Sequence, residues 1–333
     1  MLWANTTVSN HNPDVMSALT AFPAQGRLAR VNPQVRGLSL DISLSLGLLL
    51  VGMIAPLCWA QSLRREADCT GIPVGTAVRT SQLSESAYAT TLAREFNMVQ
   101  AEDVMKWSSI RPDRQTFNFT LGDQVVDFAQ AHDMKVRGHT LVWGRHNPEW
   151  LNGADYNPGM LSELLRDHIT KVVQHYRGKV FAWDVVNEAL DENGELRSSI
   201  WYDRPGIGLQ MHIFDLQPNV ASIAANIDRF TALGVQVHIT ELDVALPTDA
   251  SGNLRNPSDL LKQAEIYRQI AATCLSHRGC TALQTWGFTD KYSWIRSFFR
   301  GNKGSALLFD NKYNPKPAYR ALNQTFEAVG CSP

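Results

Sequence analysis

The chain has 333 residues, a net charge of −1 and 44% hydrophobic residues. That length holds one large domain or two small ones, with ample apolar material for a core. The near-zero charge argues against a nucleic-acid or acidic-membrane partner, whereas nine Trp, several of them beside polar residues, suit an amphipathic ligand such as a sugar.

Residues 1–36 are polar and irregular, and their basic residues are Arg27, Arg30 and Arg36. An uncharged, Leu-rich run follows from Ile42 to Gln61 and closes on Cys58-Trp59-Ala60. A positive flank, an apolar region and a small-residue end describe a secretory signal peptide cleaved after Ala60, with a signal anchor as the alternative. Pro56 and the short length weigh against a stable membrane span. Both readings put the rest of the chain outside the cytosol, so the expected product is secreted and extracellular, with no membrane contact once the leader is gone. Residues 1–60 are thus an N-terminal extension, and 61–333 the working domain.

Loss of Cys58 leaves Cys69, Cys274, Cys280 and Cys331, a set that allows three connectivities. Cys274 and Cys280 flank a turn, and Cys69 and Cys331 lie near the two ends of the domain. The expected bridges are therefore Cys274–Cys280 and Cys69–Cys331, with free buried thiols as the alternative. Cys274 and Cys280 lack the His partners of a metal site, so neither metal nor cofactor is expected. Asn118-Phe119-Thr120 and Asn323-Gln324-Thr325 read as glycosylation acceptors.

From Ile72 onward, strands and helices alternate. Strands are expected at 72–78, 98–102, 135–143, 181–188, 206–212, 235–243 and 281–286. Helices are expected at 84–96, 121–131, 161–176, 220–233, 260–275 and 316–328. The stripe Leu161, Leu164, Leu165, Ile169, Val172, Val173 and Tyr176 is the clearest amphipathic pattern. Such alternation, without linker or repeat, is an α/β chain with a parallel sheet, and a sheet of this kind closes as a barrel.

The strand Phe181–Glu188 organises the domain. It is apolar on both faces, as in a parallel sheet covered by helices, and it runs out into Asn187 and Glu188. The strand Val235–Asp243 has the same plan and carries Glu241 and Asp243. Catalytic residues of a parallel barrel sit at the C-terminal ends of its strands. Two such ends, each with a Glu, match the paired carboxylates of glycoside hydrolysis, one delivering a proton and the other attacking or stabilising positive charge. Asn187 suits a hydrogen bond to a sugar hydroxyl, and His212, held by Asp243, is placed to tune Glu241.

Six motifs carry a family resemblance: Glu102-Asp103-Val104-Met105-Lys106-Trp107, Arg137–Trp143, Trp183-Asp184-Val185-Val186-Asn187-Glu188, Gln210-Met211-His212, Thr240–Asp243 and Trp286–Trp294. In this order, across residues 70–330, the chain resembles the family-ten endo-β-1,4-xylanases. The resemblance implies a (β/α)8 barrel, a retaining mechanism and xylan as substrate, acting as a monomer. Carried over, Glu188 is the acid/base and Glu241 the nucleophile, supported by Asp243. Glu102, Lys106, His139, Trp143, Asn187, Gln210, His212, Trp286 and Trp294 match sugar-contacting positions. Trp143 and Trp286 are expected as platforms rather than core, and Lys106 has an ion pair with Glu102 as its structural alternative. Asp103 stands where the family usually has Asn, and Gly144-Arg145-His146 where it has His-Ser-Gln.

The intervals Glu102–His139, His139–Asn187 and Glu241–Trp286 each span one strand-to-strand unit. Between Asn187 and Glu241 the family order requires three units, yet the interval is barely longer than one. The barrel is therefore expected to lack strand five and its flanking helices, with the junction at Trp201–Gly206. A closed barrel that loses a strand must open two edges or re-pair its neighbours, so the expectation is either a strained seven-stranded barrel with weak or absent activity or a coding sequence that has lost an exon, with a natural short-loop form as the alternative. The competing functions are a retaining hydrolase of another β-glycan and an inactive, sugar-binding relative.

Overall fold

The computed structural model describes residues 7–9, 62–153, 156–188, 210–232 and 236–330. The leader run, its cleavage point at Ala60, Cys58, Cys331 and the junction Trp201–Gly206 lie outside the described residues.

Ten strands form: β1 (Thr7–Ser9), β2 (Val74–Val78), β3 (Met98–Ala101), β4 (Lys135–Trp143), β5 (Ala182–Asn187), β6 (His212–Ile213), β7 (Val237–Val244), β8 (Leu246–Pro247), β9 (Cys280–Thr285) and β10 (Lys303–Gly304). Seven of them, β2–β7 and β9, make one curled parallel sheet, with β1 added antiparallel at one side. The order is β1-β5-β4-β3-β2-β9-β7-β6, so β2 and β9, the first and last barrel strands, pair and close that side. No pairing joins β5 to β6 among the described residues. The fold is an incomplete (β/α)8 barrel, open where its fifth strand would stand. Strands β8 and β10 form a separate two-stranded ribbon.

Helices Ser86–Glu95, Thr120–Ala131, Pro158–His175, Val220–Thr231, Asp259–Ser276 and Pro317–Glu327 alternate with these strands, each within a few residues of its sequence-derived bounds. Asn157 caps one of them by accepting from the Met160 amide, and Asn219 caps another through the Ser222 amide. The helix Leu63–Thr70 has no counterpart in the sequence reading. Its buried stripe is only Leu63, Glu66 and Ala67, too short to stand out as a period. Ser62 starts it, and Gly71, at φ 70°, ends it in the left-handed region. Leu92, Phe96, Val125, Val126, Ile270, Leu322 and Phe326 fill the layer between helices and sheet. Burial of each such side chain contributes about 1.5–3 kcal/mol.

Two features correct the sequence reading. First, β5 is not covered throughout: Val185 and Val186 are part-exposed, whereas all eight residues of β7 are buried. Among the described residues no strand pairs with the outer edge of β5 at that end. Second, Asn323 is buried in the last helix and cannot serve as a glycan acceptor in the folded chain. Asn118 is exposed.

A polar chain runs inside the curl. Arg137 of β4 pairs with Asp184 of β5, and its Nη1 lies 2.6 Å from Nδ1 of His238 on β7. Burial, reinforced by Arg137, pushes His238 down to about 3, so its neutral ring accepts from Arg137 at Nδ1. Nε2–H then donates to Thr281 Oγ1 at 3.0 Å. Phe181 stacks nearly parallel on His238, with centroids 6.4 Å apart. These contacts bridge the opening at one end of the barrel. The register of β7 against β9 shifts between Val237 and His238 and again between Ile239 and Leu242. Those irregularities let His238 and Glu241, three positions apart, both find partners inside, which strict alternation forbids.

Candidate active site

The nucleophile candidate stands on β7, all eight of whose residues are buried. Glu241 lies near the C-terminal end of β7 and is 4% exposed. His212 of β6 sits 3.1 Å from Glu241 Oε2 through Nε2 and 2.9 Å from Asp243 Oδ2 through Nδ1. Both partners are carboxylates, so both ring nitrogens donate and the ring is an imidazolium. Burial alone would lower its proton affinity, but Asp243 and Glu241 outweigh burial and raise it to about 10. Trp294 Nε1 donates to the same Asp243 oxygen at 2.9 Å. Glu241 is thereby fixed by a neighbour that is itself fixed from behind.

The acid/base candidate has a looser setting. Glu188 follows the last residue of β5 with φ at 51°, a left-handed turn that takes the chain out of the sheet. Arg145 Nε lies 3.5 Å from Glu188 Oε2, and the two side chains are 59% and 12% exposed. Asn187 is buried, and its Oδ1 accepts from Gln210 Nε2 at 3.0 Å, leaving its own N–H groups as donors. Gln210 leads into β6, so this bond spans the opening and brings the end of β5 to the β6–β7 wall.

The remaining candidates group around β3, β4 and β9. His139 Nδ1 is 2.9 Å from Asp184 Oδ2, and its ring meets Trp286 edge-on at 5.3 Å. Asp184 is fully buried; burial would raise its proton affinity, but Arg137 and His139 hold it below the usual carboxylate range. Glu102, Trp286 and Trp294 line one small pocket together with Gln82 and Tyr292. Trp183, in the same motif as Asn187, packs over β4 where Gly138 leaves room; a Cβ there would overlap its ring.

One alternative needs correction. Lys106 does not pair with Glu102: its Nζ binds Asp103 Oδ1 at 2.8 Å, and Glu102 instead accepts from Arg79 Nη2 at 2.6 Å. Trp143 has two close neighbours. His146 stacks on it with centroids 4.5 Å apart, and Lys106 Nζ lies 4.8 Å from its ring centroid.

Sequence reasoning missed Arg79, which follows β2 directly and closes the Glu102–Asp103 cluster. It also missed the roles of Asp184 and Arg145. Asp184 had a legible signal, a charged residue inside an apolar strand and within a recognised motif. Of the expected bridges, Cys274–Cys280 is formed, with Cα atoms 5.1 Å apart, and joins the end of helix Asp259–Ser276 to the start of β9. Cys69 is disulfide-bonded, and its expected partner Cys331 is outside the described residues.

A family model described as Glycosyl hydrolase family 10 matches this chain in two stretches, residues 62–206 and 204–325. Endo-1,4-beta-xylanase B of Thermotoga neapolitana is 36% identical over 337 residues, an alignment that takes in 84% of this chain and 96% of that protein. Its length exceeds that of this whole chain, so it spans gaps. Among solved structures, native xylanase 10B from Thermotoga maritima has a TM-score of 0.74 at 36% identity, covering 80% of this chain and 98% of its own. Endo-1,4-beta-xylanase XylE of Penicillium canescens gives the same TM-score at 27% identity, with 80% and 98% covered. The family model spans well over half of the chain, and the chain belongs to glycosyl hydrolase family 10.

Proposed function

We propose that this chain is a secreted, monomeric endo-1,4-β-xylanase that cleaves internal bonds of xylan with retention. The observation that carries the reading is the Gln210–Asn187 bond, which draws the strand end bearing Glu188 to the wall bearing Glu241 despite the opening. Glu241, oriented by His212 and Asp243, attacks the anomeric carbon as Glu188 gives its proton to the departing glycosidic oxygen. Glu188 then takes a proton from water, which attacks the glycosyl-enzyme and frees Glu241. Asn187 donates to the hydroxyl beside the reacting carbon, and Glu102, Lys106, His139, Gln210, Trp143, Trp286 and Trp294 bind the sugar chain.

The domain is internally shortened near 201–206. Support comes from the two family matches, which share residues 204–206, and from the absence of β5–β6 pairing among the described residues. Export rests on the N-terminal leader pattern. Among the described residues no helix is long and apolar enough to cross a membrane. A second reading, a sugar-binding relative with little turnover, is favoured by the uncovered β5 and by Arg145 beside Glu188. Reducing ends released from xylan but not from carboxymethyl-cellulose establish the first reading. Xylan binding without turnover establishes the second, and turnover of carboxymethyl-cellulose alone points to another β-glycan.

A further inference from the structure

Strand β5 is the fourth strand of the barrel, and its outer edge would pair with the fifth. An uncovered edge presents a row of unpaired N–H and C=O groups, a template for any passing strand. Here that edge is partly occupied by β1, antiparallel, with Thr7 opposite Asp184, Val8 opposite Trp183 and Ser9 opposite Ala182. β1 is not a rebuilt fifth strand, since every barrel neighbour of β5 runs parallel to it. It belongs to the same compact unit as the barrel. Thr and Val favour extended backbone, and pairing through the main chain asks little else of sequence.

We infer that Thr7–Ser9 is a self-supplied edge cap: it occupies the β5 edge left by the absent strand, and while it sits there it blocks pairing with the same edge of a second copy. Its reach is limited. It covers Ala182–Asp184 and stops short of Val185 and Val186, which are the part-exposed residues of β5. Among the described residues nothing pairs with the half of the edge next to Glu188, so the cap shields the sheet without covering the catalytic end. The cap belongs to the uncleaved chain, since cleavage after Ala60 would remove it along with the leader.

The test uses the full chain. Thr7→Pro/Val8→Pro/Ser9→Pro removes every backbone donor of the strand, whereas Thr7→Ala/Val8→Ala/Ser9→Ala keeps them all. Hydrogen exchange of the peptide covering 181–187 and light scattering after size exclusion read the outcome. The expected result is at least tenfold faster exchange in β5 and a shift from monomer to dimer or larger for the proline variant, with the alanine variant like the parent. Exchange in the proline variant equal to the parent overturns the cap. Faster exchange without association overturns its blocking role. Neither measurement depends on xylan turnover, so failure here is separable from failure of the enzymatic reading.

Discussion

The two carboxylates stand on walls of different quality. β7 is buried at all eight positions and is hydrogen-bonded to β6 on one side and β9 on the other. Its Glu241 is held by His212, which is held by Asp243, which is held in turn by Trp294. β5 has β4 on one side and, among the described residues, only the three-residue β1 on the other. Its Glu188 sits beyond the strand end, beside an exposed Arg145. A barrel that loses a strand thus degrades locally. The surroundings of Glu241 stay complete, and the deficit falls on the side of Glu188. On the proposed roles, formation of the glycosyl-enzyme from poor leaving groups, which needs the Glu188 proton, is the step most exposed to the loss.

The largest effect tests the intact wall. Glu241→Ala should lower kcat/KM by on the order of 10^5-fold for every substrate, with unchanged thermal melting, and a fluorinated xylobioside should label Glu241 in the parent. Label on Glu188 would reverse the two walls. Next in size, Glu188→Ala should cost roughly 10^2- to 10^4-fold on xylan but little on aryl xylosides with activated leaving groups. Azide should then restore turnover. Equal losses across leaving groups would erase the difference between the walls.

A third experiment sharpens it by pH. The His212 proton affinity is raised in the folded state to about 10, above the ordinary value of about 6.5. The stabilisation is therefore complete below about pH 6.5 and is lost as pH rises through about 10, an effect on the order of a few kcal/mol. Thermal midpoints should fall across that window in the parent and fall less in His212→Gln. Identical pH profiles would show that the imidazolium does not hold the nucleophile wall. Smallest of all, Cys274→Ser should cost about 2 kcal/mol of stability, read from denaturant unfolding, and leave kcat unchanged. A fall in kcat would mean that the strain reaches Glu241 from the far end of β9.

Much of this was legible because the two candidate carboxylates come with polar companions. Glu188 arrives with Asn187, and Glu241 with Asp243, at the ends of apolar runs, and the interval between them was too short for a whole barrel. Strand and helix positions followed from period, since burial on a curled sheet demands apolar runs and helices demand stripes. What escaped was set by tertiary partners rather than pattern. Arg79 has no motif of its own, and its tie to Glu102 exists only because β2 and β3 lie side by side. The His146 stack on Trp143 needed the loop geometry after β4. The pairing of Thr7–Ser9 with β5 is a backbone event that leaves no side-chain signature, and the register shifts in β7 are invisible to alternation.

The Arg137–His238 contact also has a mechanical meaning. A closed barrel carries load around its circumference, strand to strand, and an opened one is a C-shaped spring whose lips are free to gape. Arg137 is anchored to Asp184 beside one lip and reaches His238 on the strand next to the other, while Phe181 presses on the same imidazole. The load path therefore leaves the perimeter and crosses the lumen, so a spoke does the job of a missing rim segment. The width of the gap is then held at two places, by the reach of Arg137 across the lumen and by the Gln210–Asn187 bond beside Glu188.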